Sequence, residues 1–190
     1  MTTLTDLMDH CEAVVRANWQ YVFGAKGTIL SRDDIKALQR RYGKGNVWDS
    51  DLNKAGQICC DCSGLISNMT RIERNSNGYF SSATEKLPIS QRKPYMRGWG
   101  VWRKNHIGIY DGNDGYYAMD GSRANAVHRN LRDNSHPHKF LRLHILYRHI
   151  DLQIFIKPIW IANFPIEIIR VVLLRTIFNG HIDISCASDV

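Results

Sequence analysis

Long apolar runs are missing from this sequence. No stretch reaches 18 apolar residues without a charge, so a membrane-spanning helix is not expected. The first residues, MTTLTDLMDHCEAVV, lack a basic segment followed by an apolar run, so a secretory leader is not expected either. Runs of basic residues are absent too. The net charge is +7, from 25 Lys and Arg against 18 Asp and Glu, yet no five basic residues stand together. That excludes a basic nucleic-acid-binding tail and leaves an anionic surface, of membrane or acidic polymer, as the partner the charge favours. An even, dispersed cysteine framework is also lacking. There are five cysteines, an odd number, and three of them crowd into residues 59–62, a pattern of reduced thiols rather than of a disulfide scaffold. No internal repeat is present.

What is there is an ordinary globular composition: 190 residues, 44% hydrophobic and 23% charged, enough for one domain with a core and an appendage. Leu4, Leu7, Met8, Cys11, Val14, Val15 and Trp19 recur at three and four, which predicts an amphipathic first helix. Thr3 and Asp6 stand at the positions of a capping-box pair. The glycines of YVFGAKG break that helix. SRDDIKALQRRYGKG predicts a second, with Ser31 as N-cap, acids in the first turn, Arg40 and Arg41 in the last, and Gly43 beyond. Residues 44–56 read as a polar loop, CSGLISNMT as the start of a third helix, and residues 70–98 as irregular. Three strand-like runs follow, VWRKNHIGIY, GYYAMDG and FLRLHILY, the first two joined by the turn DGNDG. After residue 150 the composition shifts to IFIKPIWIANFPIEIIRVVLL, apolar and β-branched but interrupted by Lys157, Pro158, Pro165, Glu167 and Arg170. This divides the chain into 1–150 and an apolar extension, 151–190, that packs on the domain or contacts a membrane or partner.

The stretch QICCDCSGLI admits three readings. Structural zinc needs about four ligands; Cys11 and Cys186 stand alone, and His136 and His138 form a pair with nothing to place it nearby. A redox C-x-x-C, here Cys59 and Cys62, should follow a strand, and a polar loop precedes it. A nucleophile fits Cys62 best. It follows an acid and precedes Ser-Gly and an apolar helix. A helix start offers a positive dipole end that lowers the thiol pKa, and free N–H groups for an oxyanion. Cys59 and Cys60 then serve packing. A cysteine nucleophile needs a base. In NHIGIYDGNDGYYAMDG, strand alternation puts His106, Gly108 and Tyr110 on one face and Ile107 and Ile109 on the core face. His106 is therefore the candidate base, with activity rising between about pH 5 and 7 as it becomes able to pair with the thiolate.

YVFGAKG, DCSGLI and HIGIYDGNDG, in this order over roughly residues 5–150, resemble the signature blocks of the NlpC/P60 cysteine peptidases, in particular the phage and prophage type with A-K-G and a following helix. The resemblance implies a papain-like α+β fold, with N-terminal helices packed on a small antiparallel sheet. It implies a thiol-dependent hydrolase with no cofactor or metal, acting on amide bonds of peptidoglycan stem peptides, most often between γ-D-glutamate and the diamino acid. Carried over by position, Cys62 is the nucleophile, His106 the base, Tyr21 a residue lining the site, and Asp61 and Ser63 contacts for the amine end of a stem peptide. Twelve residues after His106, where the family places a polar third residue, stands Ala118. Asp120 lies two residues further on the same face and is the candidate orienting group. A wall hydrolase made in the cytoplasm without a leader fits a lysin released on lysis or an effector or toxin injected by a secretion machine and met by an immunity protein; nucleic acid is not an expected partner. Two alternatives remain. One is another papain-like Cys-His enzyme, a muramoyl-alanine amidase, deamidase or acyltransferase. The other is a non-catalytic wall- or partner-binding protein.

Overall fold

The computed structural model describes residues 3–121, 123–131 and 138–143. The extension expected at 151–190, with Cys186, His136 and the second half of FLRLHILY, lies outside the described residues.

Helix α1 (Leu4–Arg16) forms as its periodicity predicts. Thr3 and Asp6 make a reciprocal cap, the Thr3 N–H donating to the Asp6 carboxylate (2.8 Å) and the Asp6 N–H to Thr3 Oγ1 (3.1 Å). Its stripe of Leu7, Met8, Cys11 and Val14 is buried. Helix α2 (Arg32–Tyr42) is closed in the same way by Ser31 and Asp34, and ends at Gly43, whose φ of +82° an L side chain adopts only with strain. Helix α3 (Gly64–Thr70) begins two residues after Cys62.

The two glycine- and cysteine-rich stretches, read from sequence as a break and a loop, pair with each other instead. β1 (Gln20–Tyr21), β2 (Lys26–Ile29) and β3 (Ile58–Cys60) make a three-stranded sheet in the order β1-β3-β2, parallel between β1 and β3 and antiparallel between β2 and β3. A short strand therefore does precede Cys62, contrary to the loop expected there. The segment 70–98 is also more ordered than expected. It holds helix α4 (Ser76–Ser82) and strand β4 (Glu85–Pro88). Their Ser, Asn and Gly content carries no helical pattern; α4 is held by its Asn75 cap and by Tyr79, fully buried, whose hydroxyl donates to the Ile72 carbonyl at 2.7 Å.

VWRKNHIGIY is two strands, β5 (Gly100–Arg103) and β6 (His106–Tyr110), turned at Lys104-Asn105 with Asn105 at φ +65°. β7 (Gly115–Met119), β8 (Ala126–Asn130) and β9 (Lys139–Arg142) complete a six-stranded antiparallel sheet in the order β4-β9-β5-β6-β7-β8. On one face Ile107, Ile109, Met119 and Leu141 pack with α1 and α3 through Leu7, Met8, Leu65 and Ile66. This is the core face the alternation predicts. The other face is buried as well: Val101, Tyr110, Tyr116, Ala118 and Phe140 are covered by Met96, Trp99 and Leu131. β6 is thus buried along its whole length. The described architecture is α+β, helices on one side of an antiparallel sheet. Among the described residues no helix is long and apolar enough to cross a membrane.

Candidate active site

The cysteine cluster is divided by strand alternation. Cys59 faces the small core of Val22, Ala25, Leu30, Ile35 and Val47, whereas Cys60 and Cys62 belong to the main core. Cys59 and Cys62 therefore lie in different cores, and all described cysteines are free thiols. Among the described residues no three of His, Cys, Asp and Glu converge in the manner of metal ligands.

Asp61 organises the turn that presents Cys62. Its carboxylate accepts from the Gly64 N–H (2.6 Å), Ser63 Oγ (2.8 Å), the Gly24 N–H (3.1 Å) and both ways from Lys26 Nζ (2.9 and 3.1 Å). Lys26 also donates to Ser63 Oγ at 3.0 Å. The A-K-G block of β2 is thereby joined to D-C-S-G. Gly64 is required here, since a Cβ would stand 2.6 Å from the Ala25 carbonyl oxygen and 2.7 Å from Cys60 Sγ.

Cys62 Sγ lies 3.9 Å from the Asn105 carbonyl oxygen, and the Ile107 and Ser63 N–H groups are directed at it. The sulfur thus meets the main chain on both sides of His106, at the end of the turn and in β6. The lowered thiol pKa expected from a helix start is not what the structure gives. Burial, then the Asp61 carboxylate next door, push Cys62 up to about 11, against the lowering effect of the two N–H groups and Lys26. The residue is 7% exposed, and a short helix end does not offset that desolvation. The free N–H groups expected at the helix start are largely used: Gly64 and Leu65 donate to Asp61, and Ser63 faces the sulfur.

His106, buried, is driven in the opposite direction from its ordinary 6.5, to about 4. Burial is the first cause, with Arg103, His138 and Arg129 adding to it and Asp120 opposing. The two shifts favour a neutral thiol beside a neutral imidazole, and His106 titrates below the window of about pH 5 to 7 expected for it. Extension of the β6–β7 register, in which Gly108 faces Ala118, sets Asp120 opposite His106. Asp120 Oδ1 stands 3.5 Å from His106 Nε2. This is an electrostatic contact at the outer limit of hydrogen bonding, and Nε2 makes no hydrogen bond.

Tyr21, in β1, is close enough to Cys62 for the thiol's charge to raise its hydroxyl pKa, after burial as the main cause. Its N–H donates to Asn125 Oδ1 (3.0 Å) and its carbonyl accepts from Lys54 Nζ (2.6 Å). Asn125, at φ +55°, accepts the Asp120 N–H on its carbonyl at 2.9 Å. One loop thus ties Tyr21 to Asp120. The fold brings Tyr21, Asp61 and Ser63 to the turn around Cys62, sets Asp120 beside His106, and lays the Cys62 sulfur against the main chain on either side of His106. Sequence reading missed Asn125, Lys26 as the partner of Asp61, and Arg129. Lys26 stands in a quoted motif and Asn125 is a residue type suited to positive φ; nothing in the sequence marks Arg129.

No family model matches the chain, and no curated protein does. Similar solved structures exist. The peptidoglycan hydrolase RipB of Mycobacterium tuberculosis is 18% identical with a TM-score of 0.44, covering 73% of this chain and 67% of that one. The P60 domain of a Mycobacterium avium subspecies paratuberculosis antigen is 17% identical with a TM-score of 0.46, covering 76% and 98%. A lipoprotein-like NLP/P60 family protein of Staphylococcus aureus is 14% identical with a TM-score of 0.45, covering 74% and 41%.

Proposed function

We propose that the protein is a cysteine peptidase of the NlpC/P60 type, hydrolysing amide bonds in peptidoglycan stem peptides, with the γ-D-glutamyl–diamino acid bond as the leading target. The observation that carries this reading is the convergence of three motif blocks far apart in the chain. Cys62 Sγ lies against the main chain flanking His106, with Tyr21 beside it and Asp120 behind the imidazole. In this reading His106 takes the thiol proton as sulfur attacks the carbonyl. The new thiolate character is received by the Ser63 and Ile107 N–H groups. The Cys62 N–H, which makes no hydrogen bond among the described residues, donates to the oxyanion. The +7 charge suits an acidic wall polymer. Action in the wall or periplasm after lysis or secretion, with an immunity or delivery protein as partner, belongs to the same proposal.

One observation favours a second reading. Asp61 and Ser63, expected to meet the amine end of a stem peptide, are both bound to Lys26. A substrate amine must displace that ammonium, whereas a neutral amide end need not, as in a deamidase or acyltransferase on the same Cys-His pair. Digestion of purified peptidoglycan with product analysis by mass spectrometry decides. Release of fragments ending in γ-D-glutamate supports the peptidase, and an intact wall with a reactive Cys62 favours the second reading.

A further inference from the structure

We infer that Arg129 is a positioning residue for His106, acting through Asp120. The inference rests on His106 as the base of the reaction proposed above. The two oxygens of Asp120 are used differently: Oδ2 accepts a hydrogen bond from Arg129 Nε, and Oδ1 faces His106 Nε2 at 3.5 Å. The main-chain N–H of Asp120 is fixed by Asn125. Its side chain retains two rotatable bonds, and Arg129 is the group that sets them. His106 Nε2 is buried and makes no hydrogen bond among the described residues, in a residue 8% exposed. A buried ring nitrogen without a partner costs free energy, so a closing movement of a few tenths of an ångström onto Oδ1 is favoured, provided that oxygen stays aimed.

The ladder explains how Arg129 reaches its target. Arg129 pairs with Tyr116 and Val127 with Ala118, whereas Asp120 lies just beyond the end of β7. Arg129 therefore reaches along the sheet from beside Tyr116 to Asp120, while position 118 itself carries only a methyl group. Ala118 and Arg129 together replace a third polar residue on the strand by one delivered from the next strand. The consequence for chemistry is a tautomer. A carboxylate held at Nε2 keeps the ring proton on Nε2 and leaves Nδ1 with the lone pair that a base needs. The charged or titratable groups that act on His106 from packed elements are Asp120, Arg103 of β5, Arg129 of β8 and His138 before β9. Asp120 is the acid among them, so its placement decides the balance.

The test is ¹⁵N NMR of the His106 ring in the full chain, beside kcat and KM on peptidoglycan fragments. The proteins compared are wild type, Arg129→Ala, Arg129→Lys, Asp120→Asn, and Arg129→Ala combined with Asp120→Asn. The expected result is Nε2–H in wild type and mixed tautomers in Arg129→Ala. In that variant kcat falls roughly 10- to 100-fold at unchanged KM, as for a displaced catalytic group. Lysine, which keeps charge but not the Nε–H, fails to rescue, and Arg129→Ala adds nothing in the Asp120→Asn background. Three results overturn the inference: a wild-type tautomer in Arg129→Ala, full rescue by lysine, or an equal effect of Arg129→Ala with and without Asp120. Should Arg129→Ala fail to fold, Arg129→Gln is read by the same criteria. The tautomer measurement needs no substrate, so it judges Arg129 even if peptidoglycan is not cleaved.

Discussion

Asp61 and Asp120 are the two carboxylates of the site, and the protein holds them differently. Asp61 accepts from Gly24, Lys26, Ser63 and Gly64 and has no acceptor position to spare. Among the described residues Asp120 has one side-chain donor, Arg129, and a second contact left at 3.5 Å from His106. The proposed nucleophile, Cys62, thus stands on a closed set of hydrogen bonds, and the proposed base, His106, on one that is not yet complete. The difference suits their tasks. A nucleophile gains from a fixed position, whereas a base must accommodate a proton and the shift in hydrogen bonding that follows.

The largest effect is expected from removing the sulfur. Cys62→Ala should abolish hydrolysis of peptidoglycan while leaving the thermal melt close to wild type. Cys59→Ala should keep most activity, because Cys59 faces a different core. Equal loss in both variants, measured by fragment release, would show that the cysteines act together and would remove the distinction between the two sides.

Removing the base comes next. His106→Ala should lower kcat by about 10²–10⁴-fold, the usual contribution of general acid–base catalysis. Since the resting thiol and imidazole are both neutral, the remaining rate should climb with pH toward the Cys62 value near 11. A flat profile over pH 7–9 in the variant would contradict proton removal as the role of His106.

The closed side can be broken sterically. Gly64→Ala puts a Cβ against the Ala25 carbonyl and Cys60 Sγ. It should cost about 1–3 kcal/mol, the usual penalty for overpacking, and lower the midpoint of a denaturant melt. An unchanged midpoint would mean that the turn around Cys62 yields more easily than its hydrogen bonds suggest.

Which parts of this were legible in the sequence follows from the range of the interactions. Capping pairs three residues apart, such as Thr3 with Asp6 and Ser31 with Asp34, announce themselves, and both helices begin where these pairs place them. The alternation of His106, Ile107, Gly108 and Ile109 gives the faces of β6, and Asp120 falls opposite His106 by counting across the hairpin. The small sheet is illegible because β1 and β3 are two and three residues long and draw their pairing from one another across the chain. The direction of the Cys62 shift fails for a related reason. The local motif predicts a helix end, but the depth of burial is a property of the packed core. Arg129 is invisible because only the β7–β8 register brings it toward Asp120.

The smallest effect is a pH dependence of stability that belongs to the open side. The His106 pKa is depressed in the folded protein, from 6.5 to about 4, because burial penalises the imidazolium. Between those values the unfolded chain binds a proton that the folded chain does not. Stability therefore rises with pH across that window, and acidification from about 6.5 toward 4 weakens the fold. His10, also lowered chiefly by burial, has the same sign, so the wild-type slope alone does not isolate His106. The lowered carboxylates Asp6, Asp34 and Asp49 act in a different window, since the stability they add is lost as pH falls below their unfolded value of 3.8. The measurement is therefore the denaturant midpoint of wild type and His106→Gln from pH 4.5 to 7.5. The wild-type midpoint should fall more steeply on acidification, and the difference between the two should stop changing above pH 7. Parallel curves would mean that His106 titrates alike in the folded and unfolded chains. The imidazole would then be solvated rather than buried, and the contrast between the Asp61 and Asp120 sides would narrow to geometry alone.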